Sequence, residues 1–183
     1  MTATHSPYLA MVMRGIRRKQ TYPSTRRSIT YTLLQQILNH LQHSTLHPHS
    51  RAMLRATVSI AFHGLLRVSE FTSPTPHTTL PSRTLSRKDT HFQSNKSIMI
   101  HLRASKTDQK HKGNYIMIGS TGTSTCPVRL LRHYLSICNH CHADPHLPLF
   151  QFKNHHYLTA SAFTKNLREC IRETGRNPRD DPG

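Results

Sequence analysis

The amino-acid sequence predicts an α+β fold, mostly α-helical with a small antiparallel β-hairpin or sheet. Apolar residues recur near a 3.6-residue period through most of the chain, at Leu33–Leu41, residues 51–66, Val128–Cys138 and Phe163–Ile171. Between residues 98 and 118 the period falls to two: Ile98, Ile100 and Leu102 alternate with Met99, His101 and Arg103. A length of 183 residues suits one domain with a short appendage.

The elements follow in order. Residues 8–19, YLAMVMRGIRRK, predict a short apolar helix turning basic, and TYPSTRRS (21–28) a linker built on Pro23. Thr30 is placed to cap a helix whose Leu33, Leu34, Ile37, Leu38 and Leu41 form one stripe. A loop at 43–50 leads to residues 51–66, apolar on most sides and therefore a central buried helix. After a Pro-bearing loop at 72–82 come two strands, around Ile98–Leu102 and Tyr115–Ile118, joined by the polar segment SKTDQKHK (105–112). Pro127 suits the first position of a helix with Val128, Leu131, Tyr134, Leu135 and Cys138 inward. The apolar run LFQF (149–152) precedes a last helix, capped by Thr159, packed through Phe163, Leu167, Cys170 and Ile171, and stopped at Gly175.

The formal charge is +17, with 25 Lys and Arg against 8 Asp and Glu, and no acidic residue precedes Glu70. Such an excess opposes compaction by self-repulsion unless a polyanion neutralises it, which points to nucleic acid. Hydrophobic residues make up 35% of the chain, below the usual ~45–50%. No apolar run approaches the roughly 18 residues of a membrane span, so no membrane partner is expected. Four cysteines are too sparse for a disulfide scaffold and fit a reduced, intracellular protein. Nuclear residence is expected; the acid-free, Arg- and Ser/Thr-bearing residues 1–30 make a mitochondrial address the second choice. The string Cys138-Asn-His-Cys141-His142 offers thiolates and imidazoles at a metal-like spacing, but a second ligand pair at matching spacing is missing. The expectation is no metal and no cofactor, with a Cys/His interaction module as an alternative.

Two residues carry candidate chemistry. Arg67 emerges from the buried helix in GLLRVSEF (64–71), and its guanidinium fork suits a phosphate bidentately. Glu70, three residues on, is placed either to hold that guanidinium or to cap its own turn. Lys106 stands at the base of the hairpin connection. A lysine of ordinary pKa, about 10.4, stays protonated beside a phosphodiester and can give a proton to a departing alkoxide.

The ordered set GLLRVSEF, an alternating strand, SKTDQKHKGNYIMI, CPVRLLRHYL, PLFQF and LTASAFTKNLREC resembles the catalytic domain of the tyrosine recombinases, or phage integrase family. The eukaryotic, transposon-borne members are the most similar. The resemblance covers residues 29–175, with 1–28 like the end of a core-binding domain plus linker and 176–183 a disordered tail. It implies a DNA breaking-rejoining fold for site-specific recombination and integration on double-stranded DNA, with copies assembling on it. It implies that Arg67 clamps the scissile phosphate, that Glu70 supports the site, and that Lys106 is the general acid toward the 5′-hydroxyl. Arg26, Arg27, Arg103, Lys110 and Lys112 are the expected backbone contacts.

The family continues with a His-x-x-Arg segment, a further His or Trp, and a tyrosine nucleophile. None of these follows Gly175 here, and the last tyrosine is Tyr157. The expectation is therefore a truncated representative that does not cleave, or a non-catalytic, transposon-derived DNA-binding protein. Apolar faces of the 51–66 and 159–172 helices should then be partly uncovered.

Overall fold

The computed structural model describes residues 28–78, 84–93, 96–103, 113–138 and 144–175. The predicted helix and linker of residues 8–27 and the tail from 176 lie outside them. Helix α1 (Tyr31–His43) begins where Thr30 accepts the Leu33 N–H at 3.3 Å, and all five residues of the predicted stripe are buried. Helix α2 (Pro48–His63) starts three residues before the apolar pattern does. Pro48 takes the first position, where its missing N–H has no partner to lose, and His47 Nδ1 accepts the His49 N–H at 3.2 Å. Its two buried hydroxyls are satisfied: Thr57 donates to Met53 O at 2.8 Å and Ser59 to Thr125 O at 2.6 Å.

Helix α2 stops short of the predicted Leu66: Gly64 is its C-cap and the backbone turns left-handed at Leu65, φ 50°. A Cβ on Gly64 would meet both Ile118 Cδ1 and Ile60 O at 3.0 Å. A separate one-turn helix, α3 (Val68–Phe71), follows. A 3₁₀ turn (Arg87–Asp89) leads into β1 (Thr90–Phe92), which pairs antiparallel with β2 (Ser97–Leu102). Strand β2 pairs in turn with β3 (Asn114–Gly119), Ile98 opposite Ile118 and Leu102 opposite Asn114. The two predicted strands are thus present, and β1 adds a third that three residues of THF were too short to announce. Ile98, Ile100, Leu102 and Ile118 face the core, while Tyr115 and Met117 face solvent.

Helix α4 (Pro127–Ile137) and helix α5 (Ala160–Glu173) close the core. Thr159 caps α5 by accepting the Ala162 N–H at 3.2 Å, and Phe163, Leu167, Cys170 and Ile171 are buried as predicted. Tyr134 is sealed under α4: its hydroxyl donates to Gln151 O at 3.2 Å and accepts the Gln151 N–H at 3.1 Å. The architecture is α+β, mostly helical around a three-stranded antiparallel sheet. Between α2, α3 and α5 an apolar groove of about 410 Å³ stays open, lined by Val58, Phe62, Leu65, Phe71, Phe163 and Leu167. Leu65 on its wall is 90% exposed. Among the described residues no helix is long and apolar enough to cross a membrane.

Candidate nucleic-acid interface

Arg67 stands at the N-cap of α3, with extended backbone at φ −73° and ψ 146°. Both readings of Glu70 are realised. One carboxylate oxygen, Oε2, accepts the Arg67 N–H at 2.8 Å, closing the first turn of α3. The other, Oε1, lies 3.5 Å from Arg67 Nη1. Glu70 is anchored in turn, since Leu85 donates its N–H to Glu70 O at 3.1 Å and the Glu70 side chain is 9% exposed. The Arg67 side chain is 51% exposed. Its guanidinium is held from behind by a buried carboxylate and keeps donors toward solvent, the geometry that a bidentate phosphate contact needs.

The strand pair packs directly over this turn, because Ile118 of β3 meets the backbone at Gly64, three residues before Arg67. Toward the other end of the pair, Gly113 re-enters β3 at φ 69°, and a Cβ there would meet His101 Nε2 at 2.6 Å and Leu102 O at 2.9 Å. Only glycine fits that left-handed, crowded position. Lys106, Lys110 and Lys112 lie outside the described residues, between Arg103 and Gly113, and Arg26 and Arg27 lie outside them as well.

Arg103, at the exit of β2, is tied into a buried network. Its Nε and Nη2 each lie 2.7 Å from Asp89 Oδ1, and Nη2 donates to Ser86 Oγ at 3.0 Å. Asp89 is 3% exposed, and its Oδ2 accepts the Ser86 N–H at 3.0 Å and the Ser86 hydroxyl at 2.5 Å. Sequence reading passed over this carboxylate, although Ser86-Arg-Lys-Asp89 has the spacing of a capping box and could have signalled it. The network fixes the base of the hairpin to the 3₁₀ turn.

The Cys138 string has a partner invisible in sequence. Cys138 Sγ lies 3.0 Å from His49 Nε2, 89 residues away. Burial pushes the Cys138 thiol up, and burial with the nearby His47, Lys153, Arg87 and His155 charges pushes His49 down. Both shifts favour a neutral pair. Cys141 and His142 lie outside the described residues, among which no group of three metal-ligating side chains forms.

No protein-family model matches the chain, and no curated protein does either. Among solved structures, the crystal structure of XerA recombinase is similar, with 15% sequence identity and a TM-score of 0.44 over 94% of this chain and 74% of that one.

Proposed function

We propose that this chain is a DNA-binding domain of the tyrosine recombinase type, in which Arg67 grips a phosphodiester of double-stranded DNA. The observation that supports this most is the Arg67–Glu70 geometry: a half-exposed guanidinium at a helix N-cap, backed by a buried carboxylate. In this reading Glu70 orients the arginine, and Lys106 brings a second cation to the same phosphodiester, the position from which it would act as general acid if a nucleophile were supplied. Arg26, Arg27, Lys110 and Lys112 contact the sugar-phosphate backbone, while Arg103 and its Asp89 partner set the hairpin's direction toward it. A hydrogen bond from a preplaced cation to a phosphate oxygen contributes about 1.5–3 kcal/mol to such a grip.

Two of the four described tyrosines, Tyr134 and Tyr157, are tied into the fold, which supports binding without strand cleavage. Tyr134 is fully buried and bonded twice to Gln151, and burial raises its hydroxyl pKa further. Tyr157 pairs with Gln151 and gives its N–H to Pro76 O at 2.8 Å. A transposon-derived origin, assembly of copies on DNA and nuclear residence belong to the same proposal. Titrating duplex DNA with the full chain and with Arg67→Ala tests the grip: the variant binds more weakly at low salt, and equal affinity would remove Arg67 from the interface. A nicked suicide duplex tests the chemistry, where no covalent adduct is expected and a protein–DNA adduct would refute the binding-only reading.

A further inference from the structure

A second basic cluster lies along the N-terminal half of α2, away from Arg67. Arg51 and Arg55 are one helical turn apart on α2, and Arg129 belongs to the first turn of α4, which packs against α2. From Arg55 to the end of α2 at His63 the helix rises about 12 Å, so this cluster is distinct from the Arg67 site.

Each guanidinium is steadied by a neutral acceptor. Arg51 Nη1 donates to Ser44 O at 3.2 Å, Arg129 Nη2 to Thr123 O at 2.9 Å, and Arg55 Nη1 to Gln42 Oε1. None of the three forms an ion pair among the described residues, whose ion pairs all involve Glu70 or Asp89. Arg55 Nε is buried with no hydrogen-bond partner. Burial, then the charges of Arg129 and Arg51, push the Arg55 pKa below its ordinary value. Beside them runs a chain of hydroxyls: Thr121 to Thr123 at 2.8 Å, Thr123 to Thr125 at 2.9 Å, and Tyr31 to Thr125 at 3.1 Å.

Three clustered arginines with no carboxylate among them, bordered by hydroxyls, are arranged to receive an anion. We propose that Arg51, Arg55 and Arg129 form a second phosphate-binding face at the α2–α4 junction, which takes the sugar-phosphate backbone of nucleic acid. The inference rests on the DNA-binding reading above and extends it to a face remote from Arg67. Guanidinium forks match phosphate oxygens, and hydroxyls of Ser, Thr and Tyr are frequent backbone contacts. The face positions the duplex without reading its sequence.

The test uses the full chain and a labelled duplex of random sequence, with affinity measured across a series of salt concentrations. The triple variant Arg51→Gln, Arg55→Gln, Arg129→Gln should lower the log–log salt slope by about 0.9 for each phosphate it no longer neutralises. At about 0.1 M salt the affinity should fall roughly eightfold per phosphate. The corresponding Arg→Lys triple variant, which keeps the charge, should restore most of the slope. If the parent binds and Arg67→Ala weakens it, yet a folded glutamine variant keeps parental slope and affinity, the second face is wrong and the Arg67 reading stands. If the parent shows no salt-dependent binding, the DNA reading itself fails. Phenylglyoxal modification of the unmutated protein is a readout independent of variant folding: duplex should protect Arg51, Arg55 and Arg129, and unchanged modification would overturn the proposal. Protection by polyglutamate but not by duplex would assign the face to an acidic protein and likewise overturn it.

Discussion

Glu70 serves two groups of Arg67 at once, the backbone N–H through one oxygen and the guanidinium through the other. Glu70→Ala should therefore lower stability by about 1 kcal/mol through loss of the cap and also weaken DNA binding, since Arg67 would lose its anchor. Urea unfolding and duplex titration of the one variant read both effects, and a loss of stability alone would show that the anchor is dispensable. Arg103→Ala should be costlier, about 3 kcal/mol or more, because it strips the ion-pair partner from a carboxylate that is 3% exposed. A urea midpoint near the parent's would show that Ser86 and His101 suffice for Asp89.

His49 gives the pH dependence at the same scale. Its pKa is lowered from the ordinary 6.5 in the folded chain, so the unfolded chain binds the proton more readily. The stability it contributes is full above pH 6.5 and declines as pH falls below that value. His49→Phe should flatten this part of the stability profile, and parallel profiles for parent and variant would assign the dependence to other histidines. Arg67 and Glu70 were legible in sequence because three residues of separation put them on one turn. The His49–Cys138 contact was not, because nothing local links residues 89 positions apart.

Among the elements, periodicity sufficed wherever one face is buried. The stripes of α1 and α5 lie inward as read, and β2 and β3 pair as their alternation required. Boundaries were set by local chemistry that apolar spacing does not carry. Pro48 and His47 start α2 early, and the left-handed backbone at Leu65 ends it early. Strand β1 escaped because its three residues are too few to show a period; its identity comes from register with β2. The hairpin base is the least forgiving element. Gly113→Ala combines a left-handed backbone with a Cβ only 2.6 Å from His101 Nε2, and should destabilise the protein by about 1–3 kcal/mol. Thermal melting checks this, and an unshifted midpoint would mean that the strand pair relaxes around the methyl group.

For the whole molecule, a charge of +17 and an open apolar groove act against each other. Like charge keeps copies apart, and the screening length shrinks from about 10 Å at 0.1 M salt to about 3 Å at 1 M. Leu65, 90% exposed on a greasy channel between helices, is then free to find another molecule. Turbidity should rise with added sodium chloride, and Leu65→Ser should blunt the rise; clearing with salt would contradict this. Colloidal behaviour thus becomes a by-product of ionic strength: the brine that strips such a protein from a polyelectrolyte also brings on its coagulation.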